Sequence, residues 1–216
     1  MDILMLLLSI LAGFLLSGIW FGLLFLFIGF AQRLVNLKWL LHLRSLFASI
    51  IPIVIIAVTV GLYPVQVEEL NKANVYLVAL LTVLITTAIV SRKKQGVHRK
   101  GRELIIYGLD GAFMEIPQRL MMQSFIYGFL KLIGVSILDH YTVLATALIW
   151  CMGIGIQALL KGEHFDKDLF IDLIASFVFS LGIGYVYQRT GLILITMTAH
   201  FLERILSGYV GFKRAR

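Results

Sequence analysis

Charge is what this chain has least of. Of its 216 residues, 14% are Asp, Glu, Lys or Arg while 60% are hydrophobic, and the mean hydropathy is +0.94. A soluble domain carries about 25% charged residues to keep its surface wet, so a soluble globular protein is excluded. Cysteine is nearly absent too. The single Cys151 lies in an apolar run, cannot form an internal disulfide, and excludes a disulfide-stapled scaffold. No H-E-x-x-H helix, glycine-rich phosphate cradle or Ser-His-Asp set stands out. A catalytic zinc wants three protein ligands and an open position, so neither metal nor other cofactor is expected.

What is there is a series of uncharged runs. Ile3 to Phe30 holds no charge over 28 residues, more than the roughly 20 that cross a hydrocarbon core. Tyr141 to Leu160, Ser45 to Tyr63 and Asn74 to Val90 are similar, and Leu169 to Tyr187 is interrupted only by Asp172. The fold class expected is therefore all-α, a polytopic transmembrane bundle of about seven helices. Their spans are approximately 3–30, 45–64, 74–90, 104–135, 141–160, 168–187 and 191–210. Only Asp2 precedes the first run and no cleavage site closes it, so it reads as a retained helix and not a signal peptide. The fourth segment is long for one crossing and contains Pro117, which removes a backbone donor and predicts a bend.

The net charge of +7 reports orientation, not nucleic-acid binding, because it sits in the loops. Arg33, Lys38 and Arg44 have no acidic residue among them. Arg92, Lys93, Lys94, Arg99, Lys100 and Arg102 crowd the segment 91–103, and Lys213, Arg214 and Arg216 end the chain. These three segments are expected in the cytoplasm, where the run 91–102 would also attract anionic lipid heads. Gln66 to Lys72, with Glu68 and Glu69, and the turns at Asp139-His140 and Gln188-Arg189-Thr190 are expected outside. The protein is thus read as multi-pass in the cell membrane, N-terminus out and C-terminus in. Its partners are expected to be membrane lipids and a peptide or another membrane protein, with no nucleic acid.

Charges inside a bilayer are costly and normally face a cavity or one another. The fourth segment carries Asp110, Glu115 and Arg119, the fifth Gln157, and the last His200, Glu203 and Arg204. Glu115 and Arg119 are four apart, on one helical face, and read either as a buried ion pair or as part of a site. Glu115 and His200 fall at similar estimated depth. A carboxylate and an imidazole meeting there are what water activation and proton transfer require. Asp110, Glu115 and His200 are also compatible with a transporter relay.

At these residues the chain resembles a known family. Met114-Glu115-Ile116-Pro117-Gln118-Arg119 is similar to the E-E-x-x-x-R motif of the CPBP (CAAX protease and bacteriocin-processing, or Abi) intramembrane peptidases. Gly184 to Gly191 followed by Ala199-His200 resembles that family's later G-x-x-x-x-x-T-G…H-x-x-x-N stretch. The resemblance covers about 100–210. It implies an N-terminal helical region with its basic loop (1–99), a peptidase-like core (100–210) and a basic tail (211–216). It also implies catalytic roles for Glu115, Arg119 and His200. In the family, the first glutamate and a middle histidine prime a water, and the final His and Asn stabilise the oxyanion. Here Met114 replaces the first glutamate, Ile154 or Gln157 stands where the middle histidine is expected, and Arg204 replaces the asparagine. Two functions follow. One is an intramembrane endopeptidase acting on a membrane-associated or prenylated peptide, or on a bacteriocin or pheromone precursor. The other is an inactive pseudoprotease serving as a bacteriocin immunity factor or membrane scaffold.

Overall fold

The computed structural model describes residues 2–33, 40–93, 101–135, 138–162 and 164–214. Lys38, Lys94, Arg99, Lys100 and Arg216, which enter the charge reading of the loops, lie outside the described residues. Long uncharged runs can satisfy every backbone N–H and C=O in a lipid environment only as helices or closed barrels, and helices are what form. They are α1 (Asp2–Arg33), α2 (Arg44–Thr59), α3 (Ala73–Val90), α4 (Arg102–Glu115), a π-helical stretch (Ile116–Gln123), α5 (Ser124–Leu132), α6 (Leu138–Leu160), α7 (Lys167–Thr190) and α8 (Ile193–Arg214). Backbone angles stay helical from Glu115 through Ser124, so α4, the π stretch and α5 form one rod. Seven rods result, with no strand among the described residues.

Five of the rods are long and apolar enough to cross a membrane: Ile3–Arg33, Leu40–Thr59, Ala73–Val90, His140–Leu160 and Lys167–Thr190. The two that fall short of that criterion are α4–π–α5 and α8, the rods that carry most of the intramembrane charge. They pack on one another. Around them α3 lies against α7 and α8, α6 against α7, and α1 against α2 and α6.

The expected bend at Pro117 takes a specific form. Pro117 has no N–H to donate, and the helix widens from Ile116 onward into π geometry instead of breaking, a common way to absorb a disrupted i→i−4 ladder. The second helix ends at Thr59, before the expected Tyr63–Pro64 region, because Gly61 takes φ +84° and ends regular structure. The expected outer turn at Gln188-Arg189-Thr190 is instead the last turn of α7. The reversal falls at Gly191, whose left-handed φ of +64° caps α7, its N–H donating to Tyr187 O at 2.7 Å. A Cβ there would lie 2.1 Å from Pro64 O, so only glycine admits the 60–72 connection beside it.

The two ends of the bundle are each tied by charge. At one end Lys93 reaches Asp172 at 2.7 Å. At the other, Arg189 Nε and Nη2 donate to Glu69 Oε2 at 3.0 and 2.7 Å, and Lys72 pairs with Oε1 of the same carboxylate. The Lys72 ammonium, with Arg189 behind it, holds Glu69 below the usual carboxylate range, against burial that pulls the other way. Gln66 N–H donates to Thr190 O at 2.9 Å, so the connection between α2 and α3 is strapped across the end of α7.

Candidate functional site

A polar column runs through the centre of the bundle. Its middle is Glu115, fully buried at the end of α4. Arg119, one turn on and equally buried, donates from Nε to Glu115 Oε2 at 3.0 Å. His200, on α8, places Nδ1 2.7 Å from Glu115 Oε1. The three residues singled out in the sequence therefore meet, and both carboxylate oxygens are engaged.

The column extends from this centre both ways. Toward the Glu69 end, Arg119 Nη1 donates to Gln123 Oε1 at 3.1 Å and Nη2 to Ser180 Oγ at 3.4 Å. Gln123 Nε2 passes on to Gly184 O at 2.8 Å and Gln188 Oε1 at 3.0 Å. Toward the Lys93 end, Arg204 Nε donates to His200 Nε2 at 3.3 Å, and its Nη1 donates to the Tyr107 hydroxyl. The Arg204 guanidinium also lies over the Tyr107 ring, 4.8 Å from its centroid. From Tyr107 to Gln123 the column spans roughly 24 Å at 1.5 Å per residue, most of the roughly 30 Å hydrocarbon thickness.

Two glycines give these groups their room. At Gly111 a Cβ would sit 2.6 Å from Arg204 Cγ and 3.0 Å from His200 Cδ2, so α8 lies directly on the α4 backbone. At Gly184 a Cβ would stand 3.0 Å from Arg119 Nη1 and 3.5 Å from Gln123 Oε1. The apolar side of the His200 ring is closed by Phe179, with ring centroids 4.6 Å apart.

The hydrogen bonds assign the state of the histidine. A guanidinium can only donate, so Nε2 of His200 accepts with its lone pair and the proton resides on Nδ1, donated to Glu115. His200 is then neutral. The charges of Glu115, Arg119, Glu203 and Arg204 cancel, with Arg204 Nε 3.7 Å from Glu203 Oε2. Burial of the Glu115–Arg119 pair is tolerable because each of its polar side-chain atoms has a partner.

Water activation would need a base with a free lone pair and access for the water. Here the imidazole lone pair is taken by Arg204, and the carboxylate faces two donors in a fully buried place. Met114 points elsewhere. Its sulfur accepts from Ser45 Oγ at 3.0 Å, and it packs on the apolar cluster of Trp20, Ala48, Met121 and Ile149. Ile154 and Gln157 lie half-buried on α6. Asp110 is not in the column either: it stands 3.7 Å from His42 on the α2 side. The open groove bounded by Cys151, Met152, Gly155, Leu173, Ile174 and Phe177, about 400 Å³ in volume, involves none of the column's residues. Among the described residues, no three His, Cys, Asp or Glu side chains converge as metal ligands do.

Sequence reasoning missed Gln123, Ser180, Gln188 and Tyr107 as members of the site. A signal was present in part: Glu115, Arg119 and Gln123 repeat every four residues, one polar stripe in an otherwise apolar segment. No family model, no curated protein and no solved structure matches the chain.

Proposed function

We propose that this chain is a CPBP-type intramembrane peptidase homologue that acts by binding and not by cleavage, a pseudoprotease serving as an immunity factor or scaffold for a membrane-associated peptide or another membrane protein. One observation carries the reading. Each atom that would do chemistry at Glu115 and His200 is engaged by an internal partner, Oε2 by Arg119, Oε1 by Nδ1 and Nε2 by Arg204. The Met114 and Arg204 replacements fit the same picture. Methionine cannot accept the proton of an attacking water. Arginine at the place of the oxyanion-stabilising asparagine consumes the histidine beside it. The polar column then sets the shape and rigidity of the bundle, and recognition falls to its surface. The end bearing Arg33, Arg92, Lys93 and Arg102 faces the cytoplasm in this reading, as the positive-inside rule requires.

The test compares the purified wild-type chain, Glu115→Gln, His200→Ala and the double variant Met114→Glu with Gln157→His. Protein level, partner retention on pull-down and peptide products are scored together. The expected outcome is no peptide product from the wild type, with Glu115→Gln and His200→Ala lowering the amount of folded protein. Specific cleavage by the wild type that Glu115→Gln abolishes while leaving protein level unchanged would replace this reading with the endopeptidase one.

A further inference from the structure

Arg204 does more than close the column. A guanidinium has five N–H donors. Nε is given to His200 and one Nη1 hydrogen to Tyr107, and the remaining three have no hydrogen-bond acceptor among the described residues. Nor is the side chain sealed in. It is 36% exposed, whereas neighbouring Glu203 is 7% exposed and Arg119 is 0% exposed. An exposed guanidinium with spare donors inside an apolar bundle is an expensive arrangement unless something outside the protein accepts from it.

Its depth says where that acceptor lies. Leu104 of α4 meets Gly208 of α8, where a Cβ would be 2.6 Å from Leu104 Cδ1. The level of Arg102, which is exposed at the start of α4, therefore falls near Val210. Arg204 is about six residues deeper, roughly 9 Å. A long basic side chain spans most of that distance by extending its head toward the interface while its stem stays in hydrocarbon. Tyr107, lying between Arg204 and Arg102 along α4, is the residue that steers the guanidinium toward that end.

We propose that Arg204 is a binding site for a phosphate, that of a phospholipid in the leaflet at the Arg102 end, and that its occupation loosens the hold of Arg204 on His200. The inference does not depend on whether the chain cleaves peptides. Arginine takes phosphate oxygens through two parallel N–H donors, and the spare Nη hydrogens provide that fork. Net charge within the column is already balanced by Glu203, so the phosphate answers the unfilled donors. The bond it competes with is a long one for this network, the 3.3 Å contact from Nε to His200 Nε2. Drawing the guanidinium outward lengthens it and returns the imidazole lone pair to the site.

The full-length chain is held in alkyl maltoside micelles, which carry no phosphate, with and without phosphatidylglycerol. The ¹⁵N resonance of His200 Nε2 is followed, assigned by its loss in His200→Gln, and the phosphatidylglycerol retained through delipidation is counted by native mass spectrometry. The wild type is expected to show a shifted Nε2 signal only with phosphatidylglycerol. It should also retain one lipid more than Arg204→Gln, whereas Arg102→Gln leaves the Nε2 shift intact. If Arg204→Gln does not fold, Tyr107→Phe serves instead: it keeps the guanidinium, frees another donor, and should retain phosphatidylglycerol several-fold more strongly. Inorganic phosphate in neutral micelles is the separate arm. A shift produced there equally well assigns the site to a soluble anion and overturns the lipid. An Nε2 signal identical with and without phosphatidylglycerol, with Tyr107→Phe retaining no more than wild type, overturns the site altogether.

Discussion

The bundle has two halves that are held together by different physics. On one side α1, α2, α5 and α6, with the methionines of the π stretch, enclose a cluster of Trp20, Ala48, Ile56, Met121, Met122, Ile126, Leu130, Ala145 and Ile149. Its main polar contact is Trp20 Nε1 donating to Ser49 Oγ at 2.9 Å. On the other side α4, α7 and α8 meet around the column. Lipid tails are as apolar as leucine, so the first half gains little from burial itself and depends on close van der Waals fit. The second half has a smaller apolar cluster of Val75, Val83, Phe179, Ile183 and Val186, and its centre is held by directional bonds whose partners have no substitute in hydrocarbon. The first tolerates small errors of size; the second does not tolerate a missing partner.

The sharpest way to break this contrast is to remove one charge from the column. Glu115→Ala leaves Arg119 buried without its carboxylate, and loss of one partner of a buried pair costs roughly 3–5 kcal/mol. The double change Glu115→Leu with Arg119→Met should recover much of that. In the apolar half, Ile126→Val should cost only about 0.5–1.5 kcal/mol. Reversible unfolding in mixed micelles measures all three. A double variant no more stable than Glu115→Ala would show that the column is held by something besides charge pairing.

Glycine substitutions give a smaller and more local contrast. Gly111→Ala drives a methyl into Arg204 Cγ and the His200 ring, and overpacking of this kind costs about 1–3 kcal/mol. Gly153 on α6 has nothing within 4 Å of its would-be Cβ. Gly153→Ala should then be neutral or stabilising by up to about 1 kcal/mol through helix propensity. Thermal midpoints of the two variants decide it. Equal midpoints would mean that α4 and α8 do not approach as closely as the column requires.

The smallest effect belongs to the strap at the end of α7. Glu69 is held below the usual carboxylate range by Lys72 and Arg189. A depressed folded-state value means that the strap's contribution is fully present above the ordinary carboxylate range and is lost as pH falls through the folded value. Wild type and Glu69→Gln should therefore differ in stability at neutral pH and converge in strong acid. Amide exchange of the 60–72 connection is the measurement. A difference that persists unchanged into strong acid would mean that the Glu69 charge is not what fastens it.

How much of this could be read beforehand depends on rarity. A charge in an apolar run is unusual enough to be noticed alone, which is why Glu115, Arg119 and His200 were visible as a group before their 2.7 and 3.0 Å contacts were known. Uncharged polar residues are common in membrane helices and carry no such signal. Gln123 and Ser180 passed unnoticed, and Gln188 was assigned to a turn. Arg204 was visible as a charge and as a departure from a motif, but its role was not, since that depends on where Tyr107 and His200 fall on facing helices. The seven rods followed from hydropathy and charge. The π stretch did not, because a proline predicts a disturbance but not which geometry absorbs it.

The polarity of two of the rods also bears on how the chain is made. Neither α4–π–α5 nor α8 is among the five rods long and apolar enough to cross a membrane by length and composition. Synthesis runs from α1 toward α8, so Glu115 and Arg119 are placed long before His200 and Arg204 exist. In that interval Glu115 has only its own helix to answer it. The fourth rod must be retained by the insertion machinery, or sheltered against α1 and α2, until the last one arrives. Assembly of the polar centre is therefore a late event of biogenesis. A chain stalled before α8 emerges would present an unfinished charge pair to the cell's membrane quality control.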